Sequence, residues 1–271
     1  MRVQMWCDME GVAGITKWDQ VNAGASQYEE GRLLYTMEVN AAVRGAKRAG
    51  AKEIIVVDGH GAGGDHTFNS WRKDLLEPGA EYVTGHRWSC YVEPLREGCD
   101  AMLMPCAHAM AGTPDAVLSH TMATQAWLRA EINGREVGEC GIIAAIAGSF
   151  DVPVVFVSGD TQTCAEVTNL LGDGVVQAPV KRGLGRFAAR SLAPDDACKL
   201  IEEKVAEALA HPERWPAPWK LDSPVEIRVE LNSPDQAVPW HGRAGVTVES
   251  PRVVSARGKT AWEAWDLFWK R

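Results

Sequence analysis

The first eleven residues predict a buried strand that ends in two carboxylates. Residues 3–7 form a short apolar run, which is typical of a strand in a parallel sheet that is covered on both faces. Asp8, Glu10 and Gly11 follow this run directly. Open α/β sheets bind ligands at the carboxyl ends of their strands, so both acids lie where such a sheet would place a site.

Further apolar runs predict that a parallel sheet continues from this strand. They are residues 53–58, 100–106 and 152–158. A capping box of Ser26 and Glu29 predicts the start of a long helix that ends at Gly50. Strand, helix and strand over this length form a right-handed βαβ unit. We therefore expect the α/β fold class, with a mostly parallel sheet that is flanked by helices.

A change in composition near residue 190 predicts a second, smaller domain. A helix from Pro194 to about Ala210 precedes a proline-rich linker, and residues 225–231 then alternate as in a half-exposed strand. Residues 245–256 are its expected antiparallel partners, and a closing helix follows. The predicted domains are thus residues 1–190, which are α/β, and residues 191–271, which are α+β. Residues 122–131 fit either a strand or a helix.

The charge and the cysteine pattern exclude several classes of function. The formal net charge of −8 argues against nucleic acid or an anionic membrane as a partner. The sequence has neither a signal peptide nor an apolar run of about eighteen residues, so we expect a cytoplasmic protein.

The cysteines never occur as C-x-x-C, and we expect them to be reduced and structural. They are Cys7, Cys90, Cys99, Cys106, Cys140, Cys164 and Cys198.

Residues with metal-binding side chains follow several of the predicted strands. The candidates are Asp8, Glu10, Asp58, His60, His108 and Glu139. Taken singly, each is more often a helix cap, a loop former or an ordinary buried histidine. Together they suit zinc or a similar divalent ion, which binds both imidazole nitrogen and carboxylate oxygen. Two histidines and three or four carboxylates are too many ligands for one tetrahedral ion but enough for two ions that share a bridging carboxylate.

Four short motifs occur in an unusual combination across nearly the whole chain. They are Asp8-Met-Glu-Gly11, Asp58-Gly-His60, His108…Thr113-Pro114…Ser119-His120 and Val137-Gly-Glu139. With these motifs in this order, the chain resembles the DppA-type D-aminopeptidase family of metallopeptidases. The resemblance implies that residues 1–190 are a metal-binding catalytic domain. It also implies hydrolysis of the N-terminal peptide bond of short peptides that contain D-amino acids, of the D-Ala type.

The resemblance implies a role for each residue of the site. Two zinc ions per chain are expected, although other divalent ions would also fit. Asp8 would bridge both ions. Glu10 and His60 would complete one ion, and His108 and Glu139 the other. His120 would be the catalytic residue, as nucleophile, acid–base group or oxyanion donor. The family also implies a homo-oligomer, such as a decameric ring.

Two other functions compete with this interpretation. The segment from Gly59 to Gly64 fits the G-x-G-x-x-G pattern of a nucleotide-binding module, and Glu81 lies near the acidic position of that fingerprint. However, Asp65 and His66 follow where the fingerprint requires a long apolar helix. The second alternative is a two-metal phosphoesterase or another hydrolase on the same site, because paired ions serve both chemistries.

A small basic cluster lies between residues 181 and 190. It comprises Lys181, Arg182, Arg186 and Arg190. The simpler interpretation is a solvated surface, and the alternative is a site for an anion or a substrate terminus.

Overall fold

The computed structural model describes residues 1–86 and 92–269, and within them the strands form two sheets. The first sheet has seven strands, which are parallel except for the last. In spatial order they are β3 (Glu81–Val83), β2 (Glu53–Asp58), β1 (Arg2–Cys7), β4 (Ala101–Ala107), β7 (Val154–Asp160), β8 (Val176–Gly185) and β9 (Ala188–Ser191). The predicted α/β fold class with a mostly parallel sheet is confirmed.

The second sheet has five strands and is antiparallel. In spatial order they are β11 (Val246–Ser250), β12 (Val253–Gly258), β10 (Val225–Leu231), β5 (Trp127–Ile132) and β6 (Arg135–Glu136). Burial alternates strictly along β10, as its sequence predicts. Residues 122–131, which fit either prediction, thus contribute a strand.

Six helices accompany the two sheets in the described residues. They are α1 (Tyr28–Arg48), α2 (Glu93–Glu97), α3 (Glu139–Gly148), α4 (Thr161–Leu171), α5 (Pro194–Ala210) and α6 (Ala261–Trp269). Within this part of the chain, no helix combines the length and the apolar character of a membrane span. The described cysteines are free thiols, as expected, and Cys90 lies outside the described residues.

Helix α1 packs against α5 on one face of the first sheet. A Cβ atom on Gly45 would lie 2.6 Å from the carbonyl oxygen of Glu202, so the close approach of these helices requires glycine there. The predicted capping box of Ser26 and Glu29 is wrong. The helix begins after Gln27, which makes no side-chain cap, and Glu29 instead pairs with Arg32 at 3.0 Å.

The other face of the first sheet packs against α3 and α4, and α3 also packs against α6. Helix α6 covers β10 and β12, so one apolar cluster runs from the first sheet to the second. The division at residue 190 stays a prediction. Strand β5 precedes residue 190 but pairs with β10, while α5 follows it but packs on α1.

Candidate metal centre and active site

The loop after β1 crosses the end of β4 and brings two carboxylates to the middle of the first sheet. The Asp8 amide donates to the carbonyl of Pro105 at 3.3 Å, and the Gly11 amide donates to that of Cys106 at 2.9 Å. A Cβ atom on Gly11 would lie 2.1 Å from the carbonyl oxygen of Ala107. Glycine at this position therefore lets the loop lie against β4, and Asp8 and Glu10 both become buried.

Asp8 lies at the centre of the site, with its two oxygens facing two different histidines. Its Oδ1 is 3.1 Å from His60 Nδ1, and its Oδ2 is 3.3 Å from His108 Nε2. Each histidine also faces a second carboxylate. His60 Nδ1 lies 3.2 Å from Glu10 Oε2, and His108 Nε2 lies 3.2 Å from Glu139 Oε1. The structure therefore brings all five predicted ligand side chains together.

The second nitrogen of each imidazole faces a backbone carbonyl. His60 Nε2 lies 2.8 Å from the carbonyl oxygen of Val21, and His108 Nδ1 lies 3.0 Å from that of Ala109. When these nitrogens donate, the opposite nitrogens present lone pairs to the carboxylates. This contact is favourable only if a proton or a cation lies between nitrogen and oxygen.

Two buried atoms of the site also lack a hydrogen-bond partner of good geometry. They are Glu10 Oε2 and His108 Nε2. Buried polar atoms are rarely left unpaired in proteins, and a bound cation would satisfy both of these. In addition, donor atoms of Asp8, Glu10 and His108 lie within 4.8 Å of one another. The residues present thus fit a divalent metal ion.

The same contacts shift the protonation of the site. Burial raises the pKa of Asp8, but the close contacts with His108 and His60 outweigh this effect and hold that pKa well below its usual value. Burial lowers the pKa of His60 and His108, but the carboxylates around them outweigh it and raise both values well above normal. Positive charge is therefore strongly favoured between these side chains.

His120 lies at the edge of this cluster. Its ring stacks on His108, with centroids 4.0 Å apart, and its Nε2 is 3.8 Å from Glu139 Oε1. Its Nδ1 lies 2.8 Å from the carbonyl oxygen of Leu118, and the edge of Trp18 packs against the ring. Burial and the neighbouring His108 lower the pKa of His120. The predicted catalytic residue thus sits beside the candidate ligands, and it also lines a cavity of about 700 Å³.

Asp58 stabilises the segment that follows β2 and carries His60. Its carboxylate accepts hydrogen bonds from the Tyr35 hydroxyl and from the backbone amides of Ser70 and His60. It therefore fixes the loop that carries His60. Burial raises the pKa of Asp58 to about 6. The sequence places this residue correctly at the end of β2 but does not indicate which way its side chain points.

Lys181 is the residue whose role the sequence does not reveal. A solvated surface is the wrong interpretation for it, because its side chain is only 3% exposed. Its Nζ donates to the carbonyl oxygens of Glu10, Val12 and Ile15 at 2.6, 2.8 and 2.8 Å. Burial lowers the pKa of Lys181 to about 8. One feature could have indicated that Lys181 is buried. It lies on β8, a strand of the parallel sheet, where it pairs with Asp160 of β7.

The glycine-rich segment after β2 does not form a nucleotide-binding turn. Residues Gly64–His66 make a single 3-10 turn instead of opening a long helix. A Cβ atom on Gly59 would lie 2.4 Å from the ring of Trp6, so this glycine serves close packing. The buried His60 points to the carboxylates, which is a different role from cradling a phosphate.

The chain is similar to known D-aminopeptidases over almost its full length. The family model for D-aminopeptidases matches residues 1–270. A D-aminopeptidase of Bacillus subtilis (strain 168) is 34% identical over 238 residues, which are 88% of this chain and 84% of that protein. The solved structure of the Zn-dependent D-aminopeptidase DppA from Bacillus subtilis, a self-compartmentalizing protease, has a TM-score of 0.90 at 31% identity and covers 99% of this chain and 95% of that chain.

These similarities confirm the resemblance seen in the four motifs and the predicted class of enzyme, a hydrolase. They do not favour a phosphoesterase or a nucleotide-binding module. The match to the family spans both sheets and every motif. The chain therefore belongs to the D-aminopeptidase family.

Proposed function

We propose that this protein is a zinc-dependent aminopeptidase that removes the first residue of short peptides, with a preference for D-amino acids such as D-alanine. The observation that carries the proposal is the position of Asp8 between two histidine–carboxylate pairs. Family membership supports the reaction, and the relative of known structure is described as Zn-dependent.

The arrangement favours two ions per chain. Asp8 offers one oxygen to each side, so it would bridge. Glu10 and His60 would hold one ion, and His108 and Glu139 would hold the other. Mixed imidazole and carboxylate donors suit zinc, and buried second partners such as the Val21 and Ala109 carbonyls would keep the imidazoles oriented.

The metal ions and His120 would have different roles in hydrolysis. Bound metal ions would polarise the scissile carbonyl and lower the pKa of water. His120 donates from Nδ1 to the Leu118 carbonyl, so its Nε2 is left to act on the substrate, as an acid–base group or as a nucleophile. The stack on His108 and the edge of Trp18 hold this ring in one orientation. Its face toward the cavity is where a peptide would approach.

The proposed assembly and location rest on observations outside the metal site. The relative of known structure is a self-compartmentalizing protease, which favours a homo-oligomer here, and a decameric ring is our specific proposal. The acidic charge remains the basis for expecting neither nucleic acid nor a membrane as partner. A cytoplasmic location is proposed on the sequence argument alone.

Metal analysis combined with a peptidase assay tests the proposal. The purified protein should contain about two zinc ions per chain and should hydrolyse D-alanyl-glycine faster than L-alanyl-glycine. Chelation should abolish hydrolysis, and added zinc should restore it. Activity that persists in metal-free protein would refute the metallopeptidase, whereas a preference for the L-peptide would refute only the stereochemical part.

A His120→Ala variant tests the catalytic assignment separately. Its zinc content should equal that of the wild type, because His120 is not one of the proposed ligands. Its turnover should fall by at least about 10²–10⁴-fold, the usual contribution of a positioned acid–base group. Activity close to that of the wild type would show that another group does this work.

A further inference from the structure

The cavity beside His120 carries charged groups that the proposed metal site does not use. They are Asp115, Arg129, Glu136, Arg186 and Glu230. The volume of about 700 Å³ is ample for a short peptide. Because His120 forms part of the wall, a ligand in this cavity reaches the reacting centre.

Most of these charges are already paired within the protein. Arg129 Nε lies 3.4 Å from Glu136 Oε1, and Arg252 Nη2 lies 2.8 Å from Glu230 Oε1. Among the described residues, Arg186 has no acidic partner within ion-pair distance, and Asp115 is the remaining unpaired carboxylate. Of the two arginines that line the cavity, Arg186 is therefore the one without an ion-pair contact in the described part of the chain.

The guanidinium of Arg186 is held in place by neutral groups. Its Nη2 donates to the carbonyl oxygen of Ser119 at 3.1 Å and to Thr124 Oγ1 at 2.7 Å. Its Cζ lies 5.6 Å from the ring centroid of Trp18. These contacts occupy one nitrogen, and within the described part of the chain Nε and Nη1 donate to no protein acceptor. A fixed guanidinium with a free donor edge is suited to a carboxylate, which it binds through two hydrogen bonds.

Arg186 and His120 lie close enough together for one short peptide to reach both. Each contacts Trp18, whose ring is 5.4 Å from the ring of His120 and 5.6 Å from Arg186 Cζ, so the two groups are at most about 11 Å apart. A peptide extends by roughly 3.3–3.6 Å per residue. With its scissile carbonyl against His120, a dipeptide or tripeptide would therefore present its terminal carboxylate near Arg186.

We propose that Arg186 is a specificity-determining residue that binds the C-terminal carboxylate of dipeptide and tripeptide substrates. The inference rests on the proposed aminopeptidase function and adds the requirement for a free C-terminus. Bound in this way, a peptide is anchored at its far end while its first peptide bond lies at His120. Arg186 could instead position His120, because it also donates a hydrogen bond to the carbonyl oxygen of the preceding residue, Ser119. Substrate kinetics distinguish these two roles.

Kinetics on a matched pair of substrates test the proposal. The wild type should hydrolyse D-alanyl-glycine with a kcat/KM about 10- to 100-fold above that for D-alanyl-glycinamide, the loss expected for a charge-assisted hydrogen bond. In Arg186→Met, kcat/KM for D-alanyl-glycine should fall by about the same factor, chiefly because KM rises. The kcat/KM for D-alanyl-glycinamide should change by less than about threefold. Arg186→Lys should recover part of the loss, because a lysine keeps the charge but not the planar fork.

Arg182→Met is the matched control, since Arg182 is an exposed arginine on β8, four residues before Arg186, that does not line the cavity. It should leave both substrates as in the wild type. Equal efficiency of the wild type on acid and amide would overturn the inference and leave the aminopeptidase standing. A fall in kcat on both substrates with Arg186→Met would also overturn it, in favour of a positioning role. A wild type that hydrolyses neither substrate would refute the proposed function and this inference with it.

Discussion

Asp8 differs from the other candidate ligands because each of its oxygens faces a different histidine. The closest histidine contact of Glu10 is with His60, at 3.2 Å, whereas its ligand atoms and those of His108 lie only within 4.8 Å of each other. If Asp8 bridges two ions, its loss should empty both positions, whereas the loss of Glu10 should weaken mainly one. We expect Asp8→Asn to retain almost no zinc and Glu10→Gln to retain about one ion per chain. Elemental analysis of both variants after gel filtration at a fixed free zinc concentration measures this difference.

The control for this comparison is Asp195→Asn, which changes an exposed carboxylate at the start of α5. It should bind zinc as the wild type does. Equal zinc content in the Asp8 and Glu10 variants would contradict the bridge and would favour a single ion held by both carboxylates.

Glu38 is a buried carboxyl that the proposed chemistry does not require. Its Oε1 accepts a hydrogen bond from the Ala13 amide at 2.8 Å, and burial raises its pKa to about 7. In the unfolded chain this pKa returns to about 4.5. Between these values the folded protein holds a proton that the unfolded chain has lost, so the contribution of Glu38 to stability is present at low pH and is lost as pH rises through 7.

A Glu38→Gln variant should remove this pH dependence. Relative to the wild type, its free energy of unfolding should rise by about 2–3 kcal/mol between pH 5 and pH 8. Urea unfolding of both proteins at the two pH values gives this difference, and groups that titrate in both proteins cancel. Glu203→Gln, at an exposed position, is the control. A difference that stays constant with pH would show that Glu38 is ionised in the folded state.

At the scale of elements, strand β8 stabilises the loop that carries Glu10 through hydrogen bonds. Lys181 on this strand supplies the hydrogen bonds for three carbonyl oxygens of the loop. Lys181→Met removes all three donors, so we expect the loop to loosen and the apparent zinc affinity to fall by about 10- to 100-fold, as for other groups that orient ligands. Competition with a chelator of known affinity measures the change.

Two further variants interpret that result. Lys199→Met, an exposed lysine on α5, should leave zinc affinity unchanged. Lys181→Arg keeps the charge but not the compact tripod of donors, and it should fall between the wild type and Lys181→Met. If Lys181→Met unfolds at lower urea yet binds zinc as tightly as the control, Lys181 serves the fold and not the site.

Some elements are predictable from local sequence and others are not. Strand β2 and helix α5 begin and end where the sequence predicts, because a buried apolar run and a proline at the first helical turn are local signals. Strand β5 has no such signal. It becomes a strand because it pairs with β10, which lies far along the chain. Tertiary pairing of this kind overrides weak local preference.

The same distinction applies to the site. Asp8, Glu10, His60 and His108 follow strands of one parallel sheet, so their meeting could be predicted from topology. Glu139 instead begins α3 after a strand of the second sheet, and the topology of the first sheet does not predict its place. The residues that orient these side chains could not be predicted from the sequence. Trp18 begins a short 3-10 helix and Val21 caps its end, and these two residues reach His120 and His60 through contacts between segments distant in sequence. Lys181 resembles a surface residue in sequence because only the folded loop of Glu10 supplies its acceptors.

At the scale of the whole molecule, helix α3 links the two sheets. All ten of its residues are buried, and it packs against β4 of the first sheet and against α6, which covers the second. The apolar cluster around α3 is continuous from Val157 of β7 to Ile227 of β10. Because the sheets share this core, neither buries its apolar face alone, and we expect them to unfold together.

Native-state hydrogen exchange tests this expectation. In metal-free protein, the amides of β1 and β10 should exchange with the same free energy of opening and the same dependence on denaturant. Ile146→Ala, which removes a fully buried side chain of α3, should lower both values together by about 2–5 kcal/mol. A variant in which β10 opens more easily while β1 keeps its protection would instead establish two separately stable units, as a domain boundary near residue 190 requires.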